Sequence, residues 1–121
     1  MNDLRVNTVF IPVSDMERSR AWYERVLGLE AVADWGEYLD MRFLAGSSEQ
    51  ATITLHRVDE VPPPGTDDFN LTSPQPERVR RELAEMGERV TEPKALGEFV
   101  YFELLDPDGN EISIIGRAAG R

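Results

Sequence analysis

Apolar and polar positions alternate first along residues 9–13. Val9, Ile11 and Val13 face one way and Thr8, Phe10 and Pro12 the other, the period of a strand. From residue 16 the period lengthens. Met16, Ser19, Tyr23, Val26 and Leu27 fall on one side at helical spacing. Ser14 and Glu17 sit at the separation of a capping box, and Gly28 follows as a residue able to take the left-handed conformation that stops a helix. The pattern predicts a strand over 4–13 and a helix over 15–27. Strands follow over 29–35 and 38–45, joined at Trp35-Gly36-Glu37, and then a loop over 46–50. The segment 51–58 (ATITLHRV) alternates cleanly as a fourth strand. Three consecutive prolines, Pro62 to Pro64, continue neither strand nor helix, so 59–67 reads as a stiff extended linker.

Beyond the linker the same order returns. A short strand over 68–72 leads to a helix capped by Ser73, with Pro74 and Pro76 in its first turn. Val79, Leu83 and Met86 form its apolar stripe, and Gly87 ends it. A weak strand over 89–91 and a strong one over 99–105 follow. Asp106-Pro107-Asp108-Gly109-Asn110 is a tight turn, with proline pre-set at its second position and glycine free to take positive φ. The last strand covers 111–115, and 117–121 reads as a frayed tail. This is an α+β chain of two βαβββ modules, about 4–58 and 68–116. The two strand faces are unlike. One is aliphatic or aromatic throughout and belongs under the helices, which must bury their own stripes. The other is mixed: Thr8, Phe10, Thr54, His56, Asp68, Asn70, Phe99, Tyr101, Glu103, Glu111, Ser113. A sheet with one wet face shows this pattern without any function. The expectation here is a mixed sheet curled around a cavity, helices on its outer face, where aromatics and a few polar groups suit a small ligand.

Composition narrows the classes. With 13 basic and 23 acidic residues the chain carries a net charge of −10, against nucleic acid and anionic membranes, whose binding relies on cationic contacts. It suits plain solubility or a cationic small molecule. No apolar run approaches the roughly 20 residues that span a bilayer. The start, MNDLRVN, has no signal-peptide core, so the expected location is cytoplasmic. The chain has no cysteine, hence no disulfide and no thiolate chemistry.

Two stretches, IPVSDMERSRAWYERVLGL and LLDPDGNEISII, together resemble the vicinal oxygen chelate superfamily of glyoxalases, bleomycin-resistance proteins and extradiol dioxygenases. The resemblance runs from Val6 to Ile115. It implies paired βαβββ modules in one domain and a homodimer. In metal-dependent members the ligands come from the first and fourth strands of each module. Carried over, those positions are Thr8, Thr54, Asp68 and Ser113. Asp68 alone is a plausible ligand. One histidine, His56, and no cysteine cannot build a two-histidine iron site. An irregular oxygen-rich site on His56, Asp68, Glu111 and Glu103 is the remaining way to hold a divalent metal.

The reading is therefore a metal-free protein, without a cofactor, that binds a small cationic or aromatic organic molecule in an acidic cavity. The candidate ligand-binding residues are Thr8, Phe10, Trp35, Thr54, His56, Asp68, Asn70, Tyr101, Glu103 and Ser113. Trp35 and Tyr38 flank a hairpin turn, where flat rings suit stacking. The alternative is a lyase, isomerase or epimerase acting beside a carbonyl, with His56 or Glu111 as the base. A third reading is a dimeric domain whose concave face is merely wet.

Overall fold

The computed structural model describes residues 3–44, 50–63 and 69–119. The chain divides into two compact units, with the boundary between Pro62 and Pro63. The first unit runs β1 (Thr8–Val13), α1 (Met16–Leu27), β2 (Leu29–Asp34), β3 (Tyr38–Phe43) and β4 (Thr52–Arg57). The second runs β5 (Asn70–Thr72), α2 (Pro76–Glu85), β6 (Lys94–Leu96), β7 (Phe99–Leu105) and β8 (Glu111–Arg117). Each unit holds one four-stranded mixed sheet, ordered β1-β4-β3-β2 in the first and β5-β8-β7-β6 in the second. Only β1–β4 and β5–β8 are parallel. The α+β architecture of two βαβββ modules is thus the one the alternation predicts.

In the first unit α1 packs on β4 and β2, and in the second α2 packs on β7 and β8. The apolar residues are buried with a period of two, although Thr54 and Ser113 between them are buried as well. Ile11, Val13, Leu39, Met41, Ile53 and Leu55 are buried in one sheet, and Phe102, Leu104, Ile112 and Ile114 in the other. The residues between them stay on the opposite face, which no helix of the same unit covers.

Several local expectations shift. The N-cap of α1 is Asp15, not Ser14: its carboxylate accepts from Arg18 N at 3.1 Å, and a negative charge at that end also suits the helix dipole. The face that α1 buries is Ser19, Trp22 and Tyr23, so Met16, Val26 and Leu27 lie at its margin. The N-cap of α2 is Gln75, not Ser73; the Ser73 hydroxyl instead accepts from Gln75 N at 3.1 Å, and Pro76 takes the first turn. Leu83 and Pro76 are buried in α2, whereas Met86 is exposed. The weak strand over 89–91 reduces to a single bridge, Val90 to Leu104, and the paired segment is Lys94–Leu96. Residues 117–119 are tied rather than frayed. β8 continues to Arg117, Ala118 N donates to Glu98 O at 2.9 Å, and Ala119 N donates to the Glu77 carboxylate at 2.8 Å. The extension depends on Gly116, where a Cβ would lie 2.0 Å from Ser73 O. Asp68 and most of the linker lie outside the described residues.

The 106–110 turn is a structural clamp. Asp106 is fully buried. Its Oδ1 accepts from Asp108 N and Asn110 N at 2.9 and 2.8 Å, and its Oδ2 from Asn110 Nδ2 at 2.9 Å. The Arg89 guanidinium donates to the Asp106 carbonyl at 2.5 Å. Asp106→Ala leaves three donors without this acceptor and should cost about 3 kcal/mol. The check is the urea midpoint at unchanged slope; an unmoved midpoint would show that the carboxylate does not hold the turn. Ser19 offers the opposite case. Its hydroxyl is buried and has no hydrogen-bond partner among the described residues. Ser19→Ala should therefore raise stability by about 1 kcal/mol, and a lower melting temperature would refute this.

Candidate functional site

The mixed face of the first sheet is built by register. Phe10 stands opposite Thr54, and Thr54 opposite Asp40. One step along, Pro12 stands opposite His56, and His56 opposite Tyr38. Trp35 is brought beside this row by a two-residue hairpin. Trp35 N donates to Tyr38 O at 2.8 Å, and Gly36 sits between them at φ 86°, a conformation that glycine adopts without strain.

A chain of polar contacts crosses the face. Thr8 Oγ1 lies 2.6 Å from Thr54 Oγ1, Thr54 Oγ1 donates to Asp40 Oδ1 at 2.7 Å, and Trp35 Nε1 donates to Asp40 Oδ2 at 3.0 Å. Each hydroxyl has one proton, so the direction is set. Asp40 accepts from Thr54; the Thr54 oxygen therefore accepts from Thr8. The Thr8 hydroxyl is also within 3.0 Å of Thr52 O, which shares the same proton. Burial makes these contacts consequential, because Thr54 is 2% exposed.

Aromatic rings flank the chain. Tyr38 and His56 stack face to face, centroids 4.2 Å apart at 5°. Phe10 meets Tyr38 edge-on at 6.0 Å. Trp35 is 69% exposed although its N–H is fixed, so its indole is a solvent-facing plate held in one orientation. The face thus presents a carboxylate among ring faces whose π electrons favour positive charge. At the end of β4, Arg57 is bonded to Asp59 at 2.5 Å. That bond, then the charges of Asp59 and Glu37, hold its guanidinium above the ordinary value, so Arg57 stays cationic and transfers no proton.

The second unit gathers Asn70, Tyr101 and Ser113, with Leu96 and Ile115, around a pocket of about 220 Å³. Glu103 stands opposite Ser113, accepts from Thr91 Oγ1 at 3.2 Å, and lies 3.8 Å from Lys94 Nζ. Glu111 lies on the same sheet opposite Leu105. Of the sequence-predicted residues, Thr8, Phe10, Trp35, Thr54 and His56 therefore share one face of the first unit. Asn70, Tyr101 and Ser113 share the pocket of the second, with Glu103 next to Ser113. Asp40, Thr91 and Lys94 are additions. The alternation of buried Leu39 and Met41 against Tyr38 and Asp40 carries the signal for Asp40; Thr91 and Lys94 have none in the sequence.

Residues 5–114 match the family model described as Glyoxalase/Bleomycin resistance protein/Dioxygenase superfamily. The chain belongs to that superfamily. No curated protein matches it significantly. Among solved structures, it is similar to TnmS3, an antibiotic binding protein from Streptomyces sp. CB03234, at 26% identity and TM-score 0.74, over 98% of this chain and 99% of that one. It is also similar to a member of the same superfamily from Sphaerobacter thermophilus, at 21% identity and TM-score 0.78, over 95% and 98%. A lactoylglutathione lyase from Agrobacterium tumefaciens shares the fold at 14% identity and TM-score 0.75, over the full length of both chains.

The three described positions carried over from metal-dependent members do not suit a divalent metal; the fourth, Asp68, lies outside the described residues. Thr8, Thr54 and Ser113, at three of the carried-over positions, offer neutral hydroxyls, and two of these are bonded to one another. Divalent cations take carboxylates, imidazoles or carbonyls instead. Among the described residues no three His, Asp or Glu side chains gather as a potential metal set, and no helix is long and apolar enough to cross a membrane.

Thr54→Val removes both central hydrogen bonds and leaves Asp40 tethered by Trp35 alone. We expect a loss of about 1–2 kcal/mol, with faster hydrogen exchange at the Trp35 indole N–H. An unchanged exchange rate would show that Thr54 does not orient the Asp40–Trp35 pair.

Proposed function

We propose that the protein binds a small organic molecule with aromatic and cationic character, without a metal ion, on the mixed sheet face of its first unit. The observation that carries this is the Asp40 carboxylate held among Phe10, Trp35 and Tyr38. It combines a fixed negative charge with exposed, pre-oriented ring faces. Sequestration needs only shape and charge complementarity, which suits a site without an oriented proton carrier. The likeness to an antibiotic binding protein at 26% identity points the same way. The homodimer and cytoplasmic location expected from the sequence belong to this same proposal; exposed Leu4, Val6, Val32 and Leu44 supply apolar surface for the dimer.

The lyase, isomerase or epimerase reading has weaker support. A catalytic base is ordinarily oriented by a third group. His56 instead stacks flat on Tyr38, and Glu111 stands beside Leu105.

The test is a panel of cationic aromatic antibiotics and their neutral analogues, followed by Trp fluorescence and melting temperature. A cationic member should quench Trp35, raise the melting temperature and be recovered chemically unchanged. Trp35→Ala should weaken it about five- to tenfold. Chemical conversion of a ligand that His56→Ala abolishes would replace this proposal with the lyase reading.

A further inference from the structure

The two units repeat one constellation of side chains. Tyr38 and Asp40 lie two residues apart on β3, and Tyr101 and Glu103 two residues apart on β7, so each pair shares a face. Each acid stands opposite a hydroxyl of the fourth strand, Thr54 for Asp40 and Ser113 for Glu103. Each tyrosine is paired with a donor from the preceding strand end. Trp35 N bonds Tyr38 O, and Lys94 is in register with Tyr101. Trp35 and Lys94 thus hold equivalent places, and each approaches its acid: Nε1 to Asp40 at 3.0 Å, Nζ to Glu103 at 3.8 Å.

The two copies differ in charge. The Lys94 ammonium compensates Glu103, whose side chain is 12% exposed, and sits 5.9 Å from the Tyr101 ring centroid. Asp40 receives only neutral donors, a hydroxyl and an indole N–H. Arg42 follows two residues on along the same face, but no ion pair joins it to Asp40 among the described residues. Lys94 is the single lysine of the chain. An alkylammonium between a tyrosine face and a carboxylate is therefore already present once, supplied from within.

We propose that Lys94 is a built-in occupant of the second unit's constellation, and that Asp40, where the corresponding Trp35 brings a neutral N–H and no charge and His56 takes one face of Tyr38, accepts a primary ammonium group from outside on its remaining lone pairs, one per chain. This rests on the functional reading above and narrows its ligand class from cations in general to alkyl- or arylalkylammonium compounds. Arginine side chains and bulky quaternary cations match the Lys94 arrangement less well, because a compact ammonium concentrates its charge and three donors at one point.

The probe is benzylammonium chloride, titrated while backbone amide shifts are followed by NMR. In the wild type the shifts should be confined to 35–42 and 52–56 and fit one site. Lys94→Met should add a second set at 99–103 and 113–115, doubling the stoichiometry. Lys94→Arg, which keeps a cation in place, should stay at one site. Asp40→Asn should weaken the first site about tenfold. Shifts at 99–103 in the wild type would overturn the inference. So would a Lys94→Met protein that binds at the first site and gains no second one; in that case the broader functional reading stands. Absence of benzylammonium binding in the wild type would also overturn it. If no other aromatic cation binds either, the functional reading falls with it.

Discussion

Each unit has four strands and one helix, and a single helix covers only one face of a sheet. Everything else follows from that shortage. The covered face is filled by Ile11, Val13, Leu39, Met41, Ile53 and Leu55 in one unit and by Phe102, Leu104, Ile112 and Ile114 in the other. The face not covered within the unit cannot be simply apolar, because a large bare patch would invite association. It cannot be freely polar either, since Thr54 and Ser113 are buried. The solution in the first unit is a chain of hydroxyls ending on a carboxylate, with aromatic rings covering the flanks. A surface of this kind is satisfied internally and still carries a net negative charge at Asp40.

The architecture was legible because the period of two is strong. Strands over 51–58 and 99–105 announce their inward faces, and the structure buries Ile53, Leu55, Phe102 and Leu104 there, with Thr54 buried from the other face as well. Caps were less legible. Ser14 and Asp15 are adjacent and both accept hydrogen bonds well, so sequence alone leaves a one-residue ambiguity that the extended backbone of Asp15, at φ −137°, resolves. The edge strand of the second unit was harder still. Val90 has the β-branched side chain that favours strands, yet Lys94, Ala95 and Leu96 do the pairing, because the β7 hairpin sets the register from its far end.

The candidate site was half legible. Alternation placed Thr8, Phe10, Thr54 and His56 on one face, and the structure brings them together with Trp35. Alternation also places Asp40 there. Its importance, however, comes from its two donors, one of them an indole arriving through a hairpin whose geometry depends on Gly36. A pattern of apolar positions says which way a side chain points; it does not say which neighbour shares its proton. The same limit hides Lys94 and Thr91, which reach Glu103 across strand register rather than along the sequence.

Whole-chain charge gives less discrimination than local pairing. A net charge of −10 favours cations everywhere on the surface, but in physiological salt that attraction fades over about 8 Å. Discrimination among cations would need a carboxylate whose neighbours cannot move away or neutralise it. Glu103 has Lys94 beside it, and the surface acids Asp59, Glu82 and Glu98 are paired with Arg57, Arg78 and Arg117. Asp40 differs from all of these. Its partners are neutral, they are fixed by the sheet and the hairpin, and their protons point at it. Their dipoles stabilise the carboxylate without cancelling its charge, so the attraction for an incoming cation remains. A salt-bridged acid would first have to give up its partner.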